Sequence, residues 1–178
     1  MSQIQSIVLG GGCFWCLEAV YQRIDGVVKI TSGYTGGQTE NPNYQQVSGG
    51  RTGHAEVVKI EFDKTIIGLE QIFDIFWHLH DPTTLNKQGH DLGTQYRSVI
   101  FYADEPQLEA AQKSIENLKN IELYSDPIVT ELKPLGVFYP AEDYHQNYFN
   151  NHQSEGYCQV VISPKLSKLK DYFKPETV

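Results

Sequence analysis

The residues of this chain best suited to chemistry lie in the stretch Gly10-Gly11-Gly12-Cys13-Phe14-Trp15-Cys16. The apolar run before it, residues 4–9, has strand character, and residues 14–24 after it have helical spacing. Three glycines at such a junction permit a tight turn and a close approach. Cys13 is thereby expected in the first turn of a helix, where unpaired N–H groups and the dipole favour an anion. A thiolate is such an anion, so the Cys13 pKa is expected to be lowered and the sulfur to be nucleophilic. Phe14 and Trp15 beside it could wall a small apolar pocket. The competing reading is plain packing, since a buried cysteine is usually a small hydrophobe. The segment does not fit G-x-G-x-x-G, which argues against a dinucleotide loop.

Four further stretches carry more polar chemistry than loops and strand ends need. They are Asn41-Pro42-Asn43-Tyr44, Gly53-His54-Ala55-Glu56-Val57-Val58, the run from His90-Asp91 through Tyr96-Arg97-Ser98, and Gly156-Tyr157-Cys158. Read alone, Glu56 in an alternating strand is a solvated carboxylate, and Tyr44 and Tyr96 are two of eleven tyrosines with wet hydroxyls. His54, His90 and His145 are read as surface or supporting groups with no chemical role. Cys13, Cys16 and a histidine could bind zinc, but a second C-x-x-C and closely paired histidines are missing, so no metal is expected.

Gly-Cys-Phe-Trp-Cys at 12–16, Gly-His-Ala-Glu-Val at 53–57 and Asp-Leu-Gly-Thr-Gln-Tyr-Arg-Ser at 91–98, in this order, resemble the A-type peptide methionine sulfoxide reductases. The likeness runs from about residue 7 to 158. It implies a monomeric, thioredoxin-linked enzyme acting on the S epimer of methionine sulfoxide, free or in peptides, without a cofactor. It makes Cys13 the nucleophile and Glu56 the acid, the latter kept protonated by burial. Tyr44 and Tyr96 then hydrogen-bond the sulfoxide oxygen, as in an oxyanion hole. Phe14 and Trp15 surround the substrate methyl, and Asp91 binds the substrate backbone or a water. The first products are methionine and a Cys13 sulfenic acid.

Recycling needs a second thiol. Gly-Tyr-Cys at 156–158 resembles the family's recycling site, which favours Cys158 on a bendable tail. Cys16 is the alternative, in a C-x-x-C arrangement that itself forms disulfides in redox proteins. Many members have glycine at the Cys16 position, and this chain also lacks the tail cysteine that some carry after Cys158. Residues three apart on a helix have Cβ atoms about 5–6 Å apart, too far for a bond without distortion. A thioredoxin-like thiol–disulfide oxidoreductase and a non-catalytic peptide-binding module are the competing functional classes.

The elements that must position these residues follow from periodicity. Strands are expected over 4–9, 27–34, 54–62, 96–102 and 128–132, and helices over 14–24, 69–80, 106–119, 141–150 and 165–173. On the first helix Phe14, Leu17, Val20 and Tyr21 should share one apolar face. Long loops are expected over 35–51 and 81–95. The order resembles a split βαβ arrangement. The predicted fold is α+β, a two-layer sandwich with a ferredoxin-like βαββαβ core, short C-terminal helices and an irregular tail, all in one domain over 1–178.

Composition limits the partners. The net charge is −8, which argues against nucleic acid. Lys165, Lys168, Lys170 and Lys174 form the one basic cluster, read as a solvated helix face. No stretch is apolar enough to span a membrane, and the apolar run ending at Val20 has no basic leader, so a cytoplasmic protein is expected. Three cysteines are too few for a disulfide framework.

Overall fold

In the computed structural model residues 3–172 are described. Strand β1 (Ile4–Gly10) leads into helix α1 (Phe14–Tyr21) and then strand β2 (Val27–Thr35). A one-turn helix α2 (Tyr44–Ser48) precedes β3 (Ala55–Asp63) and helix α3 (Leu69–Leu79). A small hairpin, β4 (Lys87–Gln88) with β5 (Asp91–Leu92), precedes β6 (Val99–Tyr102). Helix α4 (Glu105–Asn120), β7 (Glu131–Pro134), β8 (Tyr139–Pro140), α5 (Tyr148–Asn151) and α6 (Ser163–Lys168) complete the described chain.

The main sheet has the order β7-β6-β1-β3-β2-β8. Its pairings are antiparallel except β6 with β7, which run parallel across the α4 connection. Alternation along the strands separates two faces. Ile7 and Leu9 face Ile60 and Val58 across the β1–β3 ladder and pack under the helices with Ile72, Phe73 and Phe76. Val8, Ala55, Val57, Val99 and Phe101 line the opposite face, covered by Leu135 and Phe138. The inward positions of β3 run Phe62, Ile60, Val58 and then Glu56, so the register carries a carboxyl to the end of an apolar row.

Helix α1 does not show one apolar face. Six of its eight residues besides Phe14 are buried, and only Trp15 is partly exposed. The sheet lies on one side of it, and α5, α6 and the tail turn beside them pack on the other. A helix covered on both sides is apolar all round. Its end comes three residues before the expected one, where the Arg23 and Ile24 N–H groups tighten onto Val20 and Tyr21 carbonyls.

Other departures have local causes. Within 35–51, Asn43 and Gln46 form a reciprocal capping box that starts α2. Tyr96 lies in a 3₁₀ turn (Thr94–Tyr96) and the strand begins at Val99. The last expected strand moves from 128–132 to Glu131–Pro134, because the Val129 N–H is taken by the Pro82 carbonyl at 2.8 Å. No helix fills 141–150. Gln146 bonds Ser32 on β2, Asn147 adopts φ 58°, and the Glu18 carboxylate takes the Asn147 and Tyr148 N–H groups, leaving a 3₁₀ turn (Asp143–His145) and α5. A π-helical turn (Cys158–Ile162) runs into α6, and a 3₁₀ turn (Lys170–Tyr172) follows. Phe173, the expected helix end, and Lys174 of the basic cluster lie outside the described residues.

The glycine triplet serves protein neighbours. Gly12 has φ +85°, and a Cβ there would stand 2.8 Å from the Gln88 Cγ. A Cβ on Gly11 would stand 2.8 Å from the His80 ring. That ring is fixed by the Phe76 carbonyl at 2.6 Å and the Ser98 hydroxyl at 2.7 Å. Gly12→Ala should therefore lower stability by about 1–2 kcal/mol, the scale of the left-handed penalty. Gly136→Ala, with nothing near its Cβ position, should stay within about 0.5 kcal/mol. Urea unfolding of both variants checks the difference.

Candidate functional site

Cys13 is the N-cap of α1, with extended backbone at φ −69° and ψ 133°, so it stands just outside the first turn. Gly12, held by its N–H to the Tyr96 carbonyl at 3.1 Å, supplies the turn that places it there. Cys13 is 7% exposed.

Glu56 comes up from β3 under the same helix end and is fully buried. Its Oε1 accepts the Phe14 backbone N–H at 3.2 Å, one of the unpaired donors of the first turn. Its Oε2 is buried with no hydrogen-bond partner among the described residues. Burial pushes the carboxyl up to about 8, against the Phe14 N–H, with Asp91 adding to the rise. Glu56 is thus a neutral acid near pH 7, and the solvated reading of it is corrected by its inward register.

The same burial overturns the lowered pKa expected for Cys13. Desolvation, then Glu56 and Cys16, hold the thiol well above its ordinary range, and the Trp15 N–H opposes them without winning. The helix end offers one N–H against the loss of most water. At rest the site holds a neutral thiol beside a neutral carboxyl.

Tyr44 from α2 and Tyr96 from the 3₁₀ turn are half-buried. Burial and the fields of Glu56 and Cys13 push Tyr44 up to about 12 and Tyr96 above its ordinary value. Both phenols keep their protons and remain donors. The Glu142 carboxylate holds Tyr44 by its backbone N–H at 2.9 Å and the buried Tyr34 by its hydroxyl at 2.9 Å.

Aromatic rings close around the helix start. Phe14 packs with Tyr34 at 5.7 Å and His145 at 5.1 Å between centroids. Trp15 stacks on Tyr148 at 3.7 Å and 6° and meets Tyr157 edge-on. Its indole N–H donates to His145 Nδ1 at 3.1 Å. That bond leaves the proton of the neutral imidazole on Nε2, which is buried without a partner among the described residues. Of the three histidines given no role, His90 is exposed, but His145 is 1% exposed within this box. His54 is also buried, accepting from the Gly37 N–H and donating to the Thr39 carbonyl. Arg97 joins two of the sequence motifs through its bond to the Gly53 carbonyl at 3.0 Å.

Asp91 on β5 accepts the Tyr157 hydroxyl at 2.7 Å. That hydroxyl's one proton is then spent, so the Cys16 thiol is the donor in its 3.9 Å contact with Tyr157. Cys158, next in sequence, is 0% exposed at the start of the π-helical turn. The tail is docked, in contrast to the loose loop expected from Gly156. All three cysteines are free. A cleft of about 150 Å³ opens beside Cys13, with Asp91, Tyr157, Val161 and Lys165 on its walls. Among the described residues no group of three or more His, Cys, Asp and Glu side chains could hold a metal ion.

The structure thus gathers Cys13, Phe14, Trp15, Tyr44, Glu56, Tyr96 and Asp91 around one helix end, with Cys16 and Cys158 packed behind it. Sequence reasoning missed Tyr34, Glu142, His145 and Tyr148. The density of aromatic and polar residues between Phe138 and Phe149 was the available signal.

Comparison with known proteins is consistent along the chain. The family model described as peptide methionine sulfoxide reductase matches residues 5–177. The peptide methionine sulfoxide reductase MsrA of Acinetobacter baumannii (strain AYE) is 55% identical over 171 residues, 96% of this chain and 97% of that protein. The reduced form of Mxr1 from Saccharomyces cerevisiae superposes with a TM-score of 0.81 at 35% identity, covering 87% of this chain and 89% of that one. Mxr1 in complex with Trx2 gives 0.59 at 26% identity, covering 82% and 84%. No helix among the described residues is long and apolar enough to cross a membrane.

The docked tail makes an expectation for thiol labelling. Tyr157→Phe removes the donor to Asp91 and should speed native-state alkylation of Cys158 about tenfold, which corresponds to about 1.4 kcal/mol of local opening. Peptide mapping after timed iodoacetamide treatment measures it. An unchanged Cys158 rate would show that this bond does not hold the tail.

Proposed function

The chain belongs to the peptide methionine sulfoxide reductase family, and from that premise we propose that Cys13, Glu56, Tyr44 and Tyr96 form its reacting centre. The protein reduces methionine sulfoxide to methionine, and thioredoxin returns the electrons. One observation carries the residue assignment. A buried carboxyl, protonated up to about pH 8, sits at the helix end that carries the Cys13 thiol.

The chemistry follows from that pair. The sulfoxide oxygen takes hydrogen bonds from Tyr44 and Tyr96, and Glu56 gives it a proton as the S–O bond weakens. Cys13 Sγ supplies the electron pair, and the proton it sheds restores Glu56. One thiol and one sulfoxide become one sulfenic acid and one methionine, so substrate sulfur is reduced by two electrons and Cys13 is oxidised by two. Phe14 and Trp15 hold the S-methyl group, which favours the S epimer because only one face of sulfur then offers its oxygen to the donors. Asp91 holds the substrate backbone. A neutral resting thiol does not obstruct this, since the proton leaves as the sulfoxide accepts one.

Cys158 then condenses with the sulfenic acid, releasing water and forming a Cys13–Cys158 disulfide that thioredoxin reduces. Gly156, with open space around it, gives the tail a place to bend. Cys16 is fixed within α1, which supports the tail cysteine over it.

Three broader readings go with this. The order β6-β1-β3-β2 with its antiparallel pairs supports a ferredoxin-like description of the core. Residues 1–178 are read as one domain, and the free thiols support a cytoplasmic site of action.

The test is methionine release from each sulfoxide epimer with dithiothreitol as reductant. The S epimer alone should turn over, and kcat/KM should fall as pH rises through about 8, because the raised pKa of Glu56 means its acid form is present below that pH. Glu56→Gln should lose roughly 10²-fold or more and abolish that alkaline limb. A near-normal rate would remove Glu56 from the role.

Recycling is tested separately. Cys158→Ser should release about one methionine per enzyme without reductant and then stall with thioredoxin, while Cys16→Ser keeps turning over. Mass spectrometry after one turnover should find Cys13 joined to Cys158. A Cys13–Cys16 link would assign recycling to the helix.

A further inference from the structure

The cleft beside Cys13 holds a cation the reaction above does not use. Lys165, the third residue of α6, lines it together with Cys13, Asp91 and Tyr157. The ion pairs among the described residues are His78–Asp74 and Arg97–Glu131, so Lys165 has no carboxylate of its own among them. Its charge is felt by two buried groups, lowering the Cys16 thiol against burial and adding to the burial that takes His80 down to about 4. Lys165 is half-buried on the cleft wall, as a solvated helix face would not require. A chain of net charge −8 keeps a cation on the wall of the cleft that Cys13 lines.

We propose that Lys165 binds the α-carboxylate of methionine sulfoxide, making the cleft a subsite for the free amino acid or a C-terminal residue. This rests on the reductase reading above. A substrate whose sulfoxide reaches Cys13 must lay its backbone along the adjoining walls. There the cleft offers a carboxylate, Asp91, and a cation, Lys165. An internal residue of a protein presents only neutral amides to these walls. A free or C-terminal methionine sulfoxide presents a carboxylate, which an ammonium in a half-buried cleft binds by a charge-assisted hydrogen bond. Tyr157 links the two sides, since its hydroxyl fixes Asp91 while its segment leads into the helix that carries Lys165.

Two probes isolate this contact. N-acetyl-methionine-(S)-sulfoxide and its N-methylamide differ only in the carboxylate. With dithiothreitol as reductant, thioredoxin docking cannot enter. The ratio of kcat/KM, acid over amide, should fall about tenfold in Lys165→Met, the equivalent of about 1.4 kcal/mol. The loss should lie in KM. Lys165→Arg should recover most of the ratio, and Lys165→Glu should lower it further. An unchanged ratio in Lys165→Met, whatever the absolute rates, overturns the subsite, because a lysine that only tuned the thiols would slow both probes alike. Reduction of the amide by the unaltered protein checks the reductase reading independently.

Discussion

The hydrogen bond from the Phe14 N–H to the buried Glu56 carboxyl ties the site together. It joins the end of an apolar strand row to the first turn of a helix that is covered on both sides. A lone buried carboxylate would be costly, so the group stays neutral and one N–H suffices. Because the Glu56 Oε2 lacks a partner among the described residues, the carboxyl keeps bonding capacity that a sulfoxide oxygen can use. The cost of that unsatisfied atom is borne by the packing of α1 around it.

The C-terminal segment is the second structural decision. Glu18, buried on α1, accepts the Asn147 and Tyr148 N–H groups at 2.9 and 3.1 Å. Burial raises its pKa, and these N–H groups work against the rise. The bond interrupts what would otherwise continue as a helix and lays Tyr148 flat on Trp15. His145 then takes the indole proton, and Glu142 reaches across to Tyr34 and Tyr44. A segment with little regular structure thus orients four aromatic side chains, and it does so through carboxylates and one imidazole whose charge states suit their partners. Burial raises Glu142, yet the Tyr44 N–H and Tyr34 hydroxyl bring it below its ordinary value, so it stays an acceptor. Burial lowers His145, so it stays able to accept from Trp15.

The thiols lie in one buried cluster and differ in their neighbours. Burial raises Cys13, Cys16 and Cys158 alike. Cys16 alone has a cation pulling it back down. Cys13 alone retains some exposure. Reactivity in such a cluster depends on access and on the arrival of a proton acceptor, and a sulfoxide brings the acceptor with it.

The sequence by itself determined the course of three main elements and the identity of the chemistry. Ile4–Gly10, Leu69–Leu79 and Glu105–Asn120 were legible because their periodicity matches their burial. The glycine triplet and the motifs at 53–57 and 91–98 marked the family by residue type and order. What the tertiary structure decided was the charge state and the shape of the site. A helix N-terminus predicts a lowered thiol pKa locally, but the tail and the sheet remove water from Cys13, and desolvation outweighs one N–H. Alternation alone left Glu56 outward, until pairing with β1 and β2 placed it inward. The helix read over 141–150 lost to Glu18, more than a hundred residues away in sequence, because a buried carboxylate competes for backbone N–H groups that local propensity cannot see.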